Sequence, residues 1–198
     1  MQSALPNSSG LANQPARSLV ESIPGRIAVA FAATLFVAAC AHVSIPLPFT
    51  PVPLTLQNFG VLLVGLLLGP AAAFSAMALY LAEGALGLPV FNPAASGGLV
   101  QLFGATGGYL LSYPFVAAAA GWTFRSLRLR SAYARAALAG VFATLILFVC
   151  GSLWIAQILH LNASSVWTMS VAPFLPGEVV KIAAAAGLAA SIQHWRRA

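Results

Sequence analysis

Charge is scarce in this chain. Of its 198 residues only 6% are Asp, Glu, Lys or Arg, with three acids in all and one lysine, Lys181, where soluble domains carry about 25%. Taken with 60% hydrophobic residues and a mean hydropathy of +0.91, this excludes a water-soluble globule and implies a protein that crosses the lipid bilayer several times. A single lysine, followed by Ile182, leaves no G-x-x-x-x-G-K-[ST] phosphate loop, so no nucleotide hydrolysis by this chain alone is expected. The two cysteines, Cys40 and Cys150, sit inside apolar runs and offer neither a disulfide framework nor a metal cluster; H-E-x-x-H is also absent. No G-x-S-x-G surrounds Ser152, and His160 is a lone histidine near a helix end. Nothing here points to an enzyme.

The formal net charge of +6 does not mark a nucleic-acid binder, because of where the arginines stand. Arg17, Arg26, Arg125, Arg128, Arg130, Arg135, Arg196 and Arg197 lie in hydrophilic stretches or at the edges of apolar ones, as in loops on the inner side of a membrane. Between them six spans are predicted, over about 26–44, 54–68, 71–86, 106–124, 136–159 and 173–192, the longer ones near the ~20 residues that a bilayer core requires. Residues 1–24 are polar and aperiodic and predict a disordered cytoplasmic tail. The domain is then 25–198, an all-α membrane protein built as a six-transmembrane-helix bundle. With the N-terminus inside, the arginine loop after the fourth span and the arginine tail after the sixth also fall inside. The connections after spans one, three and five fall outside.

Those outer connections are unusual. Residues 45–53 hold four prolines in nine positions, which forbids helix and predicts a stiff extended loop. Residues 87–109 are too rich in glycine for a plain helix and too apolar for a solvated loop, a backbone tolerated at membrane depth only where it is buried in protein or lines a cavity. The last span opens with Pro173-Phe174-Leu175-Pro176-Gly177-Glu178, then Lys181, an acid and a lysine at i and i+3 on one helical face. Ionisable residues in an otherwise apolar helix usually face a polar cavity. An outward-facing substrate pocket around Glu178 and Lys181 follows, although the two could equally satisfy each other as a structural pair. Glu83, with Tyr80 one turn before it, is a further candidate for its lining. Asn92 either binds a ligand or turns the chain ahead of Pro93. Gly98 and Gly107, with their neighbours Gly97 and Gly108, either bring backbone to a ligand or let helices pack closely.

Several of these motifs together carry a resemblance. Ile45-Pro46-Leu47-Pro48, Pro51-Val52-Pro53, Gly87-Leu88-Pro89-Val90-Phe91, Gly97-Gly98, Gly104-Ala105-Thr106-Gly107-Gly108-Tyr109 and Pro173-Phe174-Leu175-Pro176-Gly177-Glu178 with Lys181 stand in the order found in the BioY family, the biotin-binding S components of energy-coupling-factor (ECF) transporters. Two positions depart from the usual pattern, Ala105 where proline is common and Glu178 where aspartate is. The resemblance implies capture of biotin from outside, without a cofactor, and uptake across a bacterial cytoplasmic membrane together with an ECF transmembrane coupling subunit and ATPase subunits. It places Glu178 and Lys181 at the ligand, and Phe91, Leu99, Tyr109 and Phe49 as apolar lining suited to its rings. It also points to Ala28 and Ala32 in the first span as a small-residue strip for partner docking, against the plainer reading of packing within the bundle. A proton-coupled secondary transporter using Glu83 or Glu178 is the alternative mechanism.

Overall fold

The computed structural model of the chain describes residues 22–195, so the expected tail lies, up to position 21, outside the described residues. The six expected spans are all helices: α1 (Ile23–His42), α2 (Gln57–Leu68), α3 (Pro70–Ala85), α5 (Gly107–Ser126), α6 (Ala132–Ile158) and α8 (Leu175–Trp195), with a short α4 (Gly98–Phe103) and α7 (Ala163–Val166) between them. α1, α6 and the segment Ala163–Trp195 are each long and apolar enough to cross a membrane.

Helix α1 begins three residues before Arg26 because Ser22 caps it, its Oγ accepting from Gly25 N at 3.2 Å, while Pro24 sits in the first turn where its missing N–H costs nothing. Helix α2 is apolar nearly all round and is the most enclosed, packed on α1, α3, α5 and α8. A left-handed Gly69, φ 81°, breaks the chain there, and Pro70 starts α3. Where α2 crosses α5, a Cβ on Gly121 would fall 2.6 Å from the Gly65 carbonyl oxygen, so the two backbones approach as only glycine permits.

The connections expected on the outer side are more ordered than their sequence suggests. The proline loop is pinched at its base by a two-stranded antiparallel ladder, β1 (Ser44–Ile45) with β2 (Leu54–Thr55). Inside the expected non-helical glycine segment, Gly97 and Gly104 bracket a single helical stretch, α4. The polar link before the last span contains α7, a π-helical turn (Trp167–Val171) and a 3-10 turn (Ala172–Phe174). Thr50 Oγ1 donates to Met169 O at 2.6 Å, tying the proline loop to that π turn. These three connections gather at one end of the bundle, and the α5–α6 arginine loop and the end of α8 lie at the other.

Candidate functional site

Helix α8 presents Glu178 and Lys181 inward from its first two turns. Both are buried, 5% and 7% exposed, and Lys181 Nζ lies 2.6 Å from Glu178 Oε1. The other carboxylate oxygen accepts from Asn58 Nδ2, at the start of α2, and Asn58 Nδ2 also lies 3.3 Å from Thr144 Oγ1 of α6. Glu178 is therefore held between two donors from different helices, the arrangement a buried charge requires.

A narrow cavity of about 60 Å³, within a wider concavity of about 580 Å³, opens against this pair. Asn92, Gln101 and Tyr109 line it along with Asn58, Glu178 and Lys181. Asn92 takes the turn role, its Oδ1 accepting from Ala94 N at 2.9 Å and also from Ser44 Oγ at 3.1 Å, and it lines the cavity as well. Tyr109 donates to Ser170 O at 2.8 Å, and its ring occupies space that any side chain at Gly151 would fill. Val52, Leu110, Leu147, Phe148 and Phe174 supply apolar wall.

Three polar atoms in this wall are buried without a hydrogen-bond partner: Asn58 Oδ1, Asn92 Nδ2 and Gln101 Oε1. Buried polar atoms are nearly always paired. Three side chains that line one cavity thus carry unpartnered polar atoms, two acceptors and a donor.

The other expected residues lie elsewhere. Glu83 is buried between α1 and α3, where Thr34 Oγ1 lies 3.1 Å from its Oε1, and it does not border the cavity. Phe91 packs edge-on against Tyr80 at 5.4 Å between ring centres and covers Gly84. Phe91 and Gly98 line a separate cavity of about 220 Å³ beside His42, which Asn92 shares. Gly107 is a packing position, with the Leu102 carbonyl and Trp154 against it. Leu99 and Phe49 do not line the site: they are 56% and 54% exposed, because α4 turns Gln101 inward and Leu99 outward, and Val52 rather than Phe49 is the inward residue of the proline loop. Ala28 and Ala32 are exposed on α1. Sequence reasoning passed over Asn58 and Gln101, although each is a polar residue at the edge of an apolar run. Gln57, next to Asn58, is occupied structurally: its Nε2 donates to Tyr80 OH at 2.6 Å, and Tyr80 donates to Val90 O at 2.7 Å.

The sequence profile of the BioY family matches residues 13–198. The chain belongs to the BioY family. Among BioY proteins, a probable biotin transporter of Pyrococcus horikoshii is 36% identical over 143 residues, covering 72% of this chain and 82% of that protein. The biotin transporter of Rhodobacter capsulatus is 36% identical over 176 residues, covering 83% and 90%. The crystal structure of the S-component for biotin from an ECF-type ABC transporter superposes with a TM-score of 0.78 at 22% identity, over 85% of this chain and 90% of that one, and has the same fold. The BioY chain described here is a multi-pass membrane protein with that architecture.

Proposed function

We propose that this BioY chain captures biotin in the cavity between α2, α4, α5, α6 and α8 and serves as the S component of an ATP-driven ECF transporter. The observation that carries the reading is the orphan set. A cyclic urea offers two N–H donors and one carbonyl acceptor; Asn58 Oδ1 and Gln101 Oε1 are two unpartnered acceptors and Asn92 Nδ2 one unpartnered donor. Beside them the Glu178–Lys181 pair adds charged hydrogen-bonding groups, the stronger kind in a low-dielectric site. The apolar wall suits the thioether ring and the aliphatic chain. Relatives bearing the name biotin transporter support the same substrate.

Glu178, Lys181, Asn92 and Tyr109 act at the ligand, joined by Asn58 and Gln101. Phe91, Gly98 and Gly107 shape the segment that carries Asn92 and Gln101, and Glu83 acts at the α1–α3 contact. Capture occurs from outside, across a bacterial cytoplasmic membrane, with both termini in the cytoplasm; the arginine placement supports that orientation. Uptake needs a coupling membrane subunit and ATPases, and the exposed Ala28 and Ala32 face of α1 is where the coupling subunit docks. Proton coupling is the weaker reading, since Glu178 is already ion-paired and Glu83 lies off the cavity. Equilibrium binding of labelled biotin to the purified, detergent-solubilised chain tests the proposal: saturable one-to-one binding is expected, and its absence would return the Glu178–Lys181 pair to a structural role.

A further inference from the structure

At the opposite end of the bundle from the Glu178–Lys181 cavity, α2, α5 and α8 line an open cleft of about 330 Å³. Its wall has two characters: Leu66, Leu67 and Ile192 form an apolar side, and Arg125 and Gln193 a polar one. The exposed Arg125 side chain folds back over the end of α2. It donates from Nη2 to Leu68 O at 3.1 Å and lies in space that any side chain at Gly69 would occupy. A second guanidinium, that of Arg135 from the first turns of α6, is held by two residues of the same wall. Its Nη2 donates to Gln193 Oε1 at 2.8 Å, its Cζ stands 5.0 Å from the centre of the Phe124 ring, and its Nε is buried without a partner.

Among the described residues neither arginine has an acidic partner. The two described acids, Glu83 and Glu178, are at the other end, and Glu178–Lys181 is the one ion pair among the described residues. A site that offers guanidinium and amide donors, with no carboxylate to receive them, is complementary to a phosphate or other oxyanion. The long apolar side of the same cleft suits an acyl chain and gives nothing to a free ion. Trp122 and Trp195, 60% and 85% exposed at this end, are the aromatic residues expected at headgroup depth.

We propose that this cleft is a specific site for one anionic phospholipid, its phosphate at Arg125 and Gln193 with Arg135 behind them, and an acyl chain along Leu66, Leu67 and Ile192. Basic pockets between transmembrane helices bind lipid headgroups in this way. The bound lipid joins the ends of α2, α5, α6 and α8 where the protein itself supplies no ion pair. This assignment is independent of the biotin reading.

The test is the unfolding midpoint of the full chain in a neutral detergent, titrated with phosphatidylglycerol, phosphatidylcholine or inorganic phosphate. A saturable rise with phosphatidylglycerol alone is expected, with half-saturation weakened roughly tenfold or more in Arg125→Gln/Arg135→Gln, as the loss of two cationic contacts implies. An equal rise with phosphatidylcholine or with inorganic phosphate, or an unchanged response in the double variant, overturns the proposal. Should that variant not fold, native mass spectrometry of the unmodified protein released from vesicles of equal phosphatidylglycerol and phosphatidylcholine decides. Preferential retention of one phosphatidylglycerol is expected, and indifferent retention overturns the assignment.

Discussion

Asn58 and Glu178 lie 120 positions apart and share a hydrogen bond inside the bundle, the amide at the start of α2 donating to the carboxylate in the first turn of α8. The contact places the acid between Asn58 and Lys181 and leaves Asn58 Oδ1 on the cavity with no partner. Replacing Asn58 with leucine removes a bond to a charged group and one of the two free acceptors. The loss of that free acceptor should lower biotin affinity by about 0.5 to 1.5 kcal/mol, the usual net worth of a neutral hydrogen bond, in equilibrium titrations of the purified variant. Unchanged affinity would take Asn58 out of the site.

The ion pair predicts an order of stabilities. Lys181→Met leaves Glu178 buried with one donor fewer and should destabilise the fold by about 3 to 5 kcal/mol, as breaking a buried pair does. The double variant Glu178→Gln/Lys181→Met should be more stable than Lys181→Met alone, because no unpaired charge remains. Denaturation midpoints in detergent give the order; a double variant less stable than both single ones would contradict the pairing.

Orientation can be read chemically. In a variant lacking Cys40 and Cys150, new cysteines at the exposed positions Ala94 and Ser164 should react with an impermeant thiol reagent added outside intact cells, and one at exposed Leu129 should not. The reverse pattern would put the biotin cavity on the cytoplasmic side.

Most of this architecture was legible in the sequence, for one physical reason. The spans are predominantly apolar runs, most of them bounded by proline, glycine or arginine, and an isolated Glu178 and Lys181 in such a run have nowhere to go but inward. The cavity wall was harder. In a bilayer the apolar residue does not have to be the inner one, so in α4 Gln101 is buried beside Leu102 while Leu99, Val100 and Phe103 are exposed, a departure from the water-soluble rule. Glu83 shares a helix face with Tyr80 as expected, but that face is used by Thr34, 49 positions away, a pairing that no local spacing encodes. Asn58 and Gln101 matter because their second polar atoms are orphaned, which only the packed chain reveals.

Partner docking separates from ligand binding. Ala28 and Ala32 are exposed on α1, and the cavity proposed for biotin has no α1 residue in its wall. Ala28→Trp/Ala32→Trp should therefore abolish biotin accumulation in cells and co-purification of the coupling subunit while leaving biotin binding by the isolated chain intact. Loss of binding as well would place the strip in the core of the bundle.

In the proposed site the orphaned amide atoms of Asn58, Asn92 and Gln101 read the ureido ring. Displacement of labelled biotin from the purified chain by two analogues tests it most directly, desthiobiotin, which keeps the cyclic urea intact, and biotin methylated on a ureido nitrogen, which loses one N–H and gains bulk. Desthiobiotin should displace within about tenfold of biotin itself, and the methylated compound should be at least about tenfold weaker than desthiobiotin, the cost of leaving one buried acceptor unpaired. Equal displacement by both, or stronger displacement by the methylated compound, would contradict recognition through those three side chains.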